Sequence, residues 1–461
     1  MSNGYRWLLA IALLQGCAVP APLPTADPHG QVAKPVAAAD RRSNTLLVVQ
    51  PDVIVAAAAA FRDPNPALQA MLRSALLNTG TQIVATDDGT AYVKTGDIPA
   101  EWLRDASVQV ETTYLGYAHD AQIRTLFKAV IQRQAKYLIV DAYANAFRQD
   151  YSVWERKFEL DSLCYPVLLA WKYYQVTGDA SVFTPEVKQA FLRVLDVMEI
   201  EQDHAHRSTY RFKSDTQEAG VNPVAHTGMI WTGFRPSDDP CVYNFLIPAE
   251  MMAVQALSAM RDIAGIYRDA AMASRAETLR QAVHAGIQRY GIVEGPAGKP
   301  IYAYEVDGLG HAQLMDDANL PNLLAAPYFG YVGIDDPIYQ NTRRFVLSSA
   351  DPYFYSGPLA AGLGSPHTPA GMIWPLGLLA EGFSTNDRSE QRRVLAMLLA
   401  SDPGDHRLHE SFDPSDPRRF TRVDFGWPNA FFTEYIAKLH GARAHPVPST
   451  AGLRFDSATA L

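Results

Sequence analysis

The chain has 461 residues, 48% of them hydrophobic, 10% aromatic and 19% charged, which is ample for a large core and argues against wholesale disorder. Forty Lys and Arg stand against 49 Asp and Glu, a net charge of −9 with no basic block, which speaks against nucleic acid and other polyanions as partners and favours a neutral substrate. Three cysteines make neither a disulfide scaffold nor a Cys-rich zinc site.

In chain order, Arg6 precedes a short apolar run, Trp7 to Leu14, too short to span a bilayer as a mature helix. Leu14-Gln15-Gly16-Cys17 resembles a bacterial lipoprotein box, which makes Cys17 the lipidated first residue and a membrane attachment point. An ordinary signal peptide cleaved near Ala21 is the alternative, and both readings export the protein. Residues 18–43 are rich in Pro and Ala and read as a flexible tether. No linker interrupts the chain beyond the tether, so residues 44–445 are expected to form one domain, with 446–461 as a tail.

Apolar spacing predicts helices at Ala67–Leu77, Val108–Tyr117, Ile123–Val140, Leu160–Val176, Pro185–Ile200, Ile247–Tyr267, Ala271–Tyr290, Pro337–Ser348, Pro375–Leu399 and Ala430–Leu439. Alternation is sparse: Thr45–Val49, Thr81–Thr86 and Lys299–Val306 are the candidate strands. Ten to twelve helices joined by loops rich in Pro, Gly, Asp and Trp point to an all-α fold, an (α/α)6 barrel of about twelve helices with minor β elements. No fixed-period repeat suggests a solenoid.

Five of the six tryptophans beyond the leader, Trp102, Trp154, Trp231, Trp374 and Trp427, fall in polar, loop-like stretches; Trp171 lies on an apolar helix and reads as core. Indole faces stack on the C–H faces of sugars, while carboxylates and amides hydrogen-bond the hydroxyls. With no phosphate-binding Gly loop, this is what a neutral carbohydrate asks of a site.

Five stretches carry the candidate chemistry. In Lys94–Asp105, Arg104 and Asp105 adjoin at a helix start and suit vicinal hydroxyls, with a surface ion pair as the plainer reading; Asp97 ahead of Pro99 reads as a helix cap. In Trp154–Ser162, Glu159 and Asp161 either favour a helix N-terminus or line the site. In Gly228–Asp239, the adjacent Asp238 and Asp239 with Arg235 and Trp231 make a candidate acid, because like charges and partial burial raise one carboxyl's pKa; a helix N-cap is the alternative. Asp316, Asp317 and Asn319 suggest hydroxyl contacts, since no EF-hand spacing accompanies them. His367, and then His409-Glu410-Ser411, end the series, with Glu410 able to act as a base toward water. His406 and His409 lack the helix signature of a zinc site, so no metal or cofactor is expected. No Gly-x-Ser-x-Gly elbow marks a serine nucleophile. Cys164 and Cys241 are expected as buried free thiols, with a disulfide between them after export as the alternative.

Together these stretches resemble glycoside hydrolase family 125, the exo-α-1,6-mannosidases. The resemblance is carried, in order, by TGDIPAEWLRD, ERKFELDSLCYP, GFRPSDDPCVYNFLIP, YEVDGLGHAQLMDDANLPNLL, GSPHTP and LHESFDP, followed by FTR and FGWPNAFF, from about Tyr92 to Tyr435. Pro240, Pro428 and the Ala100-Glu101 pair depart from the pattern and bear on loop shape. The resemblance implies an (α/α)6 barrel, metal-independent hydrolysis of an α-mannoside and inversion at the anomeric carbon. It also implies a general acid in FRPSDD, hence Asp238 or Asp239, and a general base in HESF, hence Glu410. An inverting pair stands about 6.5–9.5 Å apart to admit a water. Arg104, Asp105 and Asp317 are expected to hold the terminal mannose, Trp231 or Trp427 to stack on it, and Trp102, Arg235, Asp316, Asn319, His367 and His409 to complete the site. The competing readings are another (α/α)6 exo-glycosidase of glucoamylase type and a non-catalytic glycan-binding lipoprotein. Nothing in the sequence sets an oligomeric state.

Overall fold

Thirteen α-helices form among the described residues, which in this computed structural model are 49–220, 222–442 and 445–455. They are α1 (Asp52–Ala60), α2 (Pro66–Gln82), α3 (Leu103–Tyr114), α4 (Ala121–Val140), α5 (Leu160–Thr177), α6 (Pro185–Glu201), α7 (His204–Arg207), α8 (Ile247–Tyr267), α9 (Ala270–Gly286), α10 (Pro337–Val346), α11 (Pro375–Phe383), α12 (Arg388–Ala400) and α13 (Gly426–Leu439). The leader, Cys17, the tether and nearly all of the Thr45–Val49 strand lie outside the described residues.

Burial sorts the long helices into two alternating sets. In α3, α5, α8, α11 and α13, nearly every side chain of the first three turns is buried. In α2, α4, α6, α9, α10 and α12, one face is buried and the other meets solvent, as expected of an outer layer. The sets alternate along the chain. Where a sixth inner helix is due, between α9 and α10, the chain runs as turns instead, buried throughout 315–326. The result is an (α/α)6 barrel of six outer helices around five inner helices and one coiled inner segment.

Capping follows the same division. Every outer helix starts on a side chain that accepts from its first free N–H groups: Asn65, Asp120, Thr184, Asp269, Asp336 and Asp387. No inner helix has a side-chain cap; each leaves an extended residue, Trp102, Glu159, Leu246, Trp374 or Phe425. The N-terminal ends of the inner helices therefore open onto short strands and loops, and these build the site.

Several expected boundaries move. The single helix expected over Pro375–Leu399 is two, broken at Ser384–Asp387, where Asp387 caps α12. Lys299–Val306 divides into Pro300–Tyr302 and Glu305–Val306, and Thr81–Thr86 shortens to Ile83–Ala85 because α2 continues through Gln82. Helix α1 was not expected from its Ala-rich stretch. The expected C-terminal tail folds back on α9: His284 Nε2 lies 2.6 Å from the Arg454 carbonyl, and Phe455 packs edge-on against His284 and Tyr331. Cys164 and Cys241 are free and buried. Among the described residues, no helix is long and apolar enough to cross a membrane.

Candidate active site

A cavity of about 280 Å³ lies at the N-terminal ends of the inner helices, at the small end of ligand sites and suited to one sugar ring. A larger void of about 520 Å³ opens at the opposite end of α3 and α13, lined by Phe61, Leu72, Leu76, Phe383 and Ile436.

The first wall is the start of α3. A two-residue strand, Glu101–Trp102, pairs with Ala146–Phe147 and through it with Val153–Glu155, and delivers Trp102, Arg104 and Asp105 to the cavity. Gly96, at φ +60°, lets the preceding turn press on the chain ahead of α13: a Cβ there would fall 2.0 Å from the Asp424 carbonyl. Arg104 is buried. Its Nη1 donates to Glu159 (2.7 Å) and Asp161 (3.1 Å), its Nε lies 3.5 Å from Asp105, its Nη2 lies 3.9 Å from Asp238, and its guanidinium stands 5.5 Å over Trp427. Burial pushes the Asp105 carboxyl up to about 6 against the opposing charges of Arg104 and Arg422.

The second wall is the loop Phe234–Pro240, closed by a bridge between its end residues and pinned where the Gly233 and Phe234 amides donate to the Phe158 carbonyl. Asp238 stands at its apex with φ +65°, a left-handed conformation that Asp tolerates better than most residues and that recurs at functional sites. Its Oδ1 accepts from Trp102 Nε1 (3.3 Å) and Asn145 Nδ2 (3.0 Å), and its side chain faces the cavity. Burial raises its pKa, but a hydrogen bond from Glu159 and the charges of Arg104, Lys157 and His367 outweigh that and hold it below the usual range. Asp239 points elsewhere: it accepts from Ser237 Oγ (2.9 Å) and lies 3.4 Å from His367 Nδ1.

The third wall is the hairpin Ser411–Asp413 with Asp416–Thr421. Glu410 enters it with its amide donating to the Thr421 carbonyl, and its carboxyl opens into the same cavity as Asp238. Burial raises the Glu410 pKa; Arg422, with Nη1 3.8 Å away, pulls it back, helped by Thr421 and His367. Arg422 itself lines the cavity and donates to Asp97 (2.5 Å) and to the Thr95 carbonyl (2.8 Å). Asp97 is thus an ion-pair partner across the mouth, not a helix cap. For His367, burial works against its charge, but the bond to Asp239 and the nearby Asp238 and Glu410 raise it to about 9, so it is cationic at neutral pH.

Of the residues expected from sequence, Trp102, Arg104, Asp105, Asp238, Asn319, His367, Glu410 and Trp427 line this one cavity. Asp317 stands just behind Asn319, accepting from its Nδ2 (2.9 Å) and from Ser365 Oγ (3.1 Å). Four expectations are corrected. Trp231 is buried in the core, its ring 3.7 Å from that of His204, because its loop turns inward against α6. Arg235 is held by Glu305 at 2.6 Å and lies over Tyr304, a buried ion pair that fixes the Asp238 loop to the neighbouring sheet. Asp316 accepts from the Leu323 and Leu324 amides and serves as the cap of the coiled inner segment. His409 stacks on Phe420 at 3.7 Å and meets the Arg422 carbonyl at 2.8 Å, so it braces the Glu410 hairpin from behind. Trp374, one of the loop tryptophans noted in the sequence, also lines the cavity, while sequence reasoning left out Arg422, Phe425 and Asn145. Trp374 and Phe425 carry a readable signal, an aromatic just before an apolar helix; Arg422 and Asn145 carry none. Among the described residues, no group of three His, Cys, Asp or Glu is arranged to hold a metal ion.

Residues 65–437 match a protein family described as metal-independent alpha-mannosidase (GH125). A metal-independent alpha mannosidase from Streptococcus pneumoniae, solved in a non-productive substrate complex with alpha-1,6-mannobiose, superposes with a TM-score of 0.81 at 38% identity, over 84% of this chain and 97% of that one. The Meiotically up-regulated gene 157 protein of Schizosaccharomyces pombe is 36% identical over 400 residues, 78% of each chain. The glucoamylase of Saccharomycopsis fibuligera is similar in fold alone, with a TM-score of 0.58 at 11% identity over 82% of this chain and 96% of that one.

Proposed function

Because the chain belongs to glycoside hydrolase family 125, the metal-independent α-mannosidases, we propose that it is an exo-acting, inverting hydrolase that removes terminal mannose from α-1,6-linked mannosides. The observation that carries this reading is a single sugar-sized cavity onto which Asp238 and Glu410 both open from separate loops, with Trp102, Trp374 and Trp427 around them.

Asp238 is the general acid, and Asp239 is not, because only the Asp238 carboxyl faces the cavity; that of Asp239 is occupied by Ser237 and His367. Glu410 is the general base. Arg422 and the cationic His367 favour its ionised form, as a group that takes a proton from water requires. The glycosidic C–O bond breaks as Asp238 gives a proton to the leaving oxygen, and water, losing a proton to Glu410, bonds to the anomeric carbon from the opposite face. Asp105, Arg104 and Asn319 meet the hydroxyls of the terminal mannose, and Trp427 or Trp374 receives its C–H face. The reading further places the mature enzyme outside the cytoplasm, anchored through Cys17, on the strength of the leader-like segment and its Cys.

Proton NMR on α-1,6-mannobiose, with EDTA present, tests the scheme. The expected first-formed sugar is β-mannose, with turnover unaffected by chelation and no release from aryl α-glucosides; first-formed α-mannose overturns the direct-water scheme. Glu410→Gln is expected to lower kcat about 10²–10⁴-fold.

A further inference from the structure

Asp238 shares its surroundings with an unusual number of acids. Asn145 Nδ2 donates among three of them: Asp238 Oδ1 at 3.0 Å, Glu159 Oε1 at 3.1 Å and Glu155 Oε2 at 3.1 Å, although an amide nitrogen carries two hydrogens. Arg104 spans the same two carboxyls, with Nη1 2.7 Å from Glu159 and Nη2 3.9 Å from Asp238. Two acids gathered on one amide in a site this buried do not both stay ionised.

Charge balance leads to the same point. Asp105, Glu155, Glu159, Asp161 and Asp238 are in contact with two fixed cations, Arg104 and Lys157; Lys157 Nζ lies 2.9 Å from Glu155. Arg422 is shared between Asp97 and Glu410, and His367, 3.4 Å from Asp239, adds at most one charge. A cluster of five carboxyls, three of them buried, facing two or three cations retains at least one proton, because an unpaired buried carboxylate is too costly. Glu159 and Asp238 differ in access: the Glu159 side chain is wholly buried, while that of Asp238 is 22% exposed and faces the cavity.

We propose that Glu159 is the proton store of the general acid: it passes its proton to Asp238 as Asp238 protonates the glycosidic oxygen, and Arg104 then holds the carboxylate left on Glu159. The inference rests on the reading of Asp238 as the acid. Glu159 touches no substrate and is a positioning residue that acts through Asp238. The step balances with one proton in the pair: Glu159 gives its proton to the Asp238 carboxylate, the glycosidic C–O bond breaks as Asp238 hands that proton to the leaving oxygen, both carboxyls are left ionised, and Glu410 takes one proton from the attacking water. Loss of the Glu410 proton to solvent and uptake of one by the Glu159–Asp238 pair restore the starting state. The residues around Glu159 suit both of its forms: Arg104 at 2.7 Å and Ser162 Oγ at 2.9 Å stabilise the carboxylate, while burial and the neighbouring Asp238 hold its pKa well above the ordinary range before reaction.

The test compares two leaving groups in Glu159→Gln, which keeps the shape and a hydrogen bond to Asp238 but has no proton to pass. A sugar leaving group needs protonation, whereas 2,4-dinitrophenolate does not. The expected result is a fall of about 10²-fold or more in kcat on α-1,6-mannobiose, less than about tenfold on 2,4-dinitrophenyl α-mannoside, and an alkaline limb of the mannobiose pH profile moved to lower pH. Equal loss on both substrates means a structural role only and overturns the proposal, as does unchanged mannobiose turnover. Asp238→Asn in the same assay separates the two readings. If it spares mannobiose, or loses both substrates alike, the acid assignment fails and the store fails with it. If it shows the selective loss while Glu159→Gln does not, the store alone fails. Should Glu159→Gln not fold, Glu159→Asp keeps a carboxyl and withdraws it by one methylene: a partial loss confined to mannobiose supports the store, and a uniform loss overturns it.

Discussion

Arg422 holds two acids at once, Asp97 at 2.5 Å and Glu410 at 3.8 Å, and its guanidinium lies 4.5 Å over Phe425. Its charge opposes the rise that burial imposes on Glu410. Removing it leaves only Thr421 and His367 to oppose that rise, so Glu410 ionises only at higher pH. Arg422→Ala is therefore expected to move the acidic limb of kcat/KM upward by roughly one pH unit; a limb that stays in place shows that Arg422 does not set the state of the base. Trp231 makes the complementary point. It has the same polar, loop-like neighbours in sequence as Trp427, yet one indole is buried against His204 and the other lines the cavity. Loop composition does not tell which way a side chain points; that depends on where Phe158 and Glu201 anchor the backbone on either side.

The helices divide by how locally they are specified. Outer helices begin on Asn, Asp or Thr caps and show one apolar face, so spacing and capping chemistry made them readable. Inner helices are buried nearly all round and begin without caps, and their first turns, Leu103–Ser107 and Gly426–Asn429, carry polar or small residues that belong to the site. Spacing accordingly placed α3 and α13 four to five residues too late. The distinction has measurable consequences. Asp120→Ala, at the cap of outer α4, removes acceptors for Gln122 and Ile123 and is expected to lower stability by about 1 kcal/mol with kcat/KM unchanged. Asp316→Ala leaves the buried Leu323 and Leu324 amides without partners, for about 2–4 kcal/mol, and also loosens Asn319, which the same segment brings to the cavity. Urea titration and steady-state kinetics on the two variants check this; a catalytically silent Asp316→Ala refutes the link.

Across the barrel, burial raises several carboxyls outside the acid cluster: Glu101, Asp351 and Glu381 to about 7 and Glu434 to about 8, from ordinary values of 4.5 or 3.8. A carboxyl whose pKa is higher folded than unfolded holds its proton in the folded chain after the unfolded chain has lost it. Its contribution is complete below the unfolded value and declines as pH rises through the folded one. Glu277, lowered to about 2 by Arg280, acts in the opposite sense and loses its contribution only in acid. The unfolding temperature is therefore expected to be several degrees higher at about pH 5 than at about pH 8, by calorimetry at constant ionic strength. A higher value at the alkaline end refutes the assignment of these groups as protonated in the fold.

The helix-rich class, a site suited to a neutral carbohydrate and most of the carboxylates that face the cavity were legible in the residues, because periodicity and the company that Trp keeps with acids are properties of short stretches; the mannosidase chemistry was legible through the family resemblance. The choice of Asp238 over Asp239, the diversion of Trp231, Arg235, Asp316 and His409 into support, and the pairing of Glu159 with Asp238 were not legible. Each depends on contacts between segments that are far apart in the chain, Asn145 and Glu159 with Asp238, or Asp97 with Arg422, and no local pattern encodes the distance between residues that meet only when the ring of helices closes.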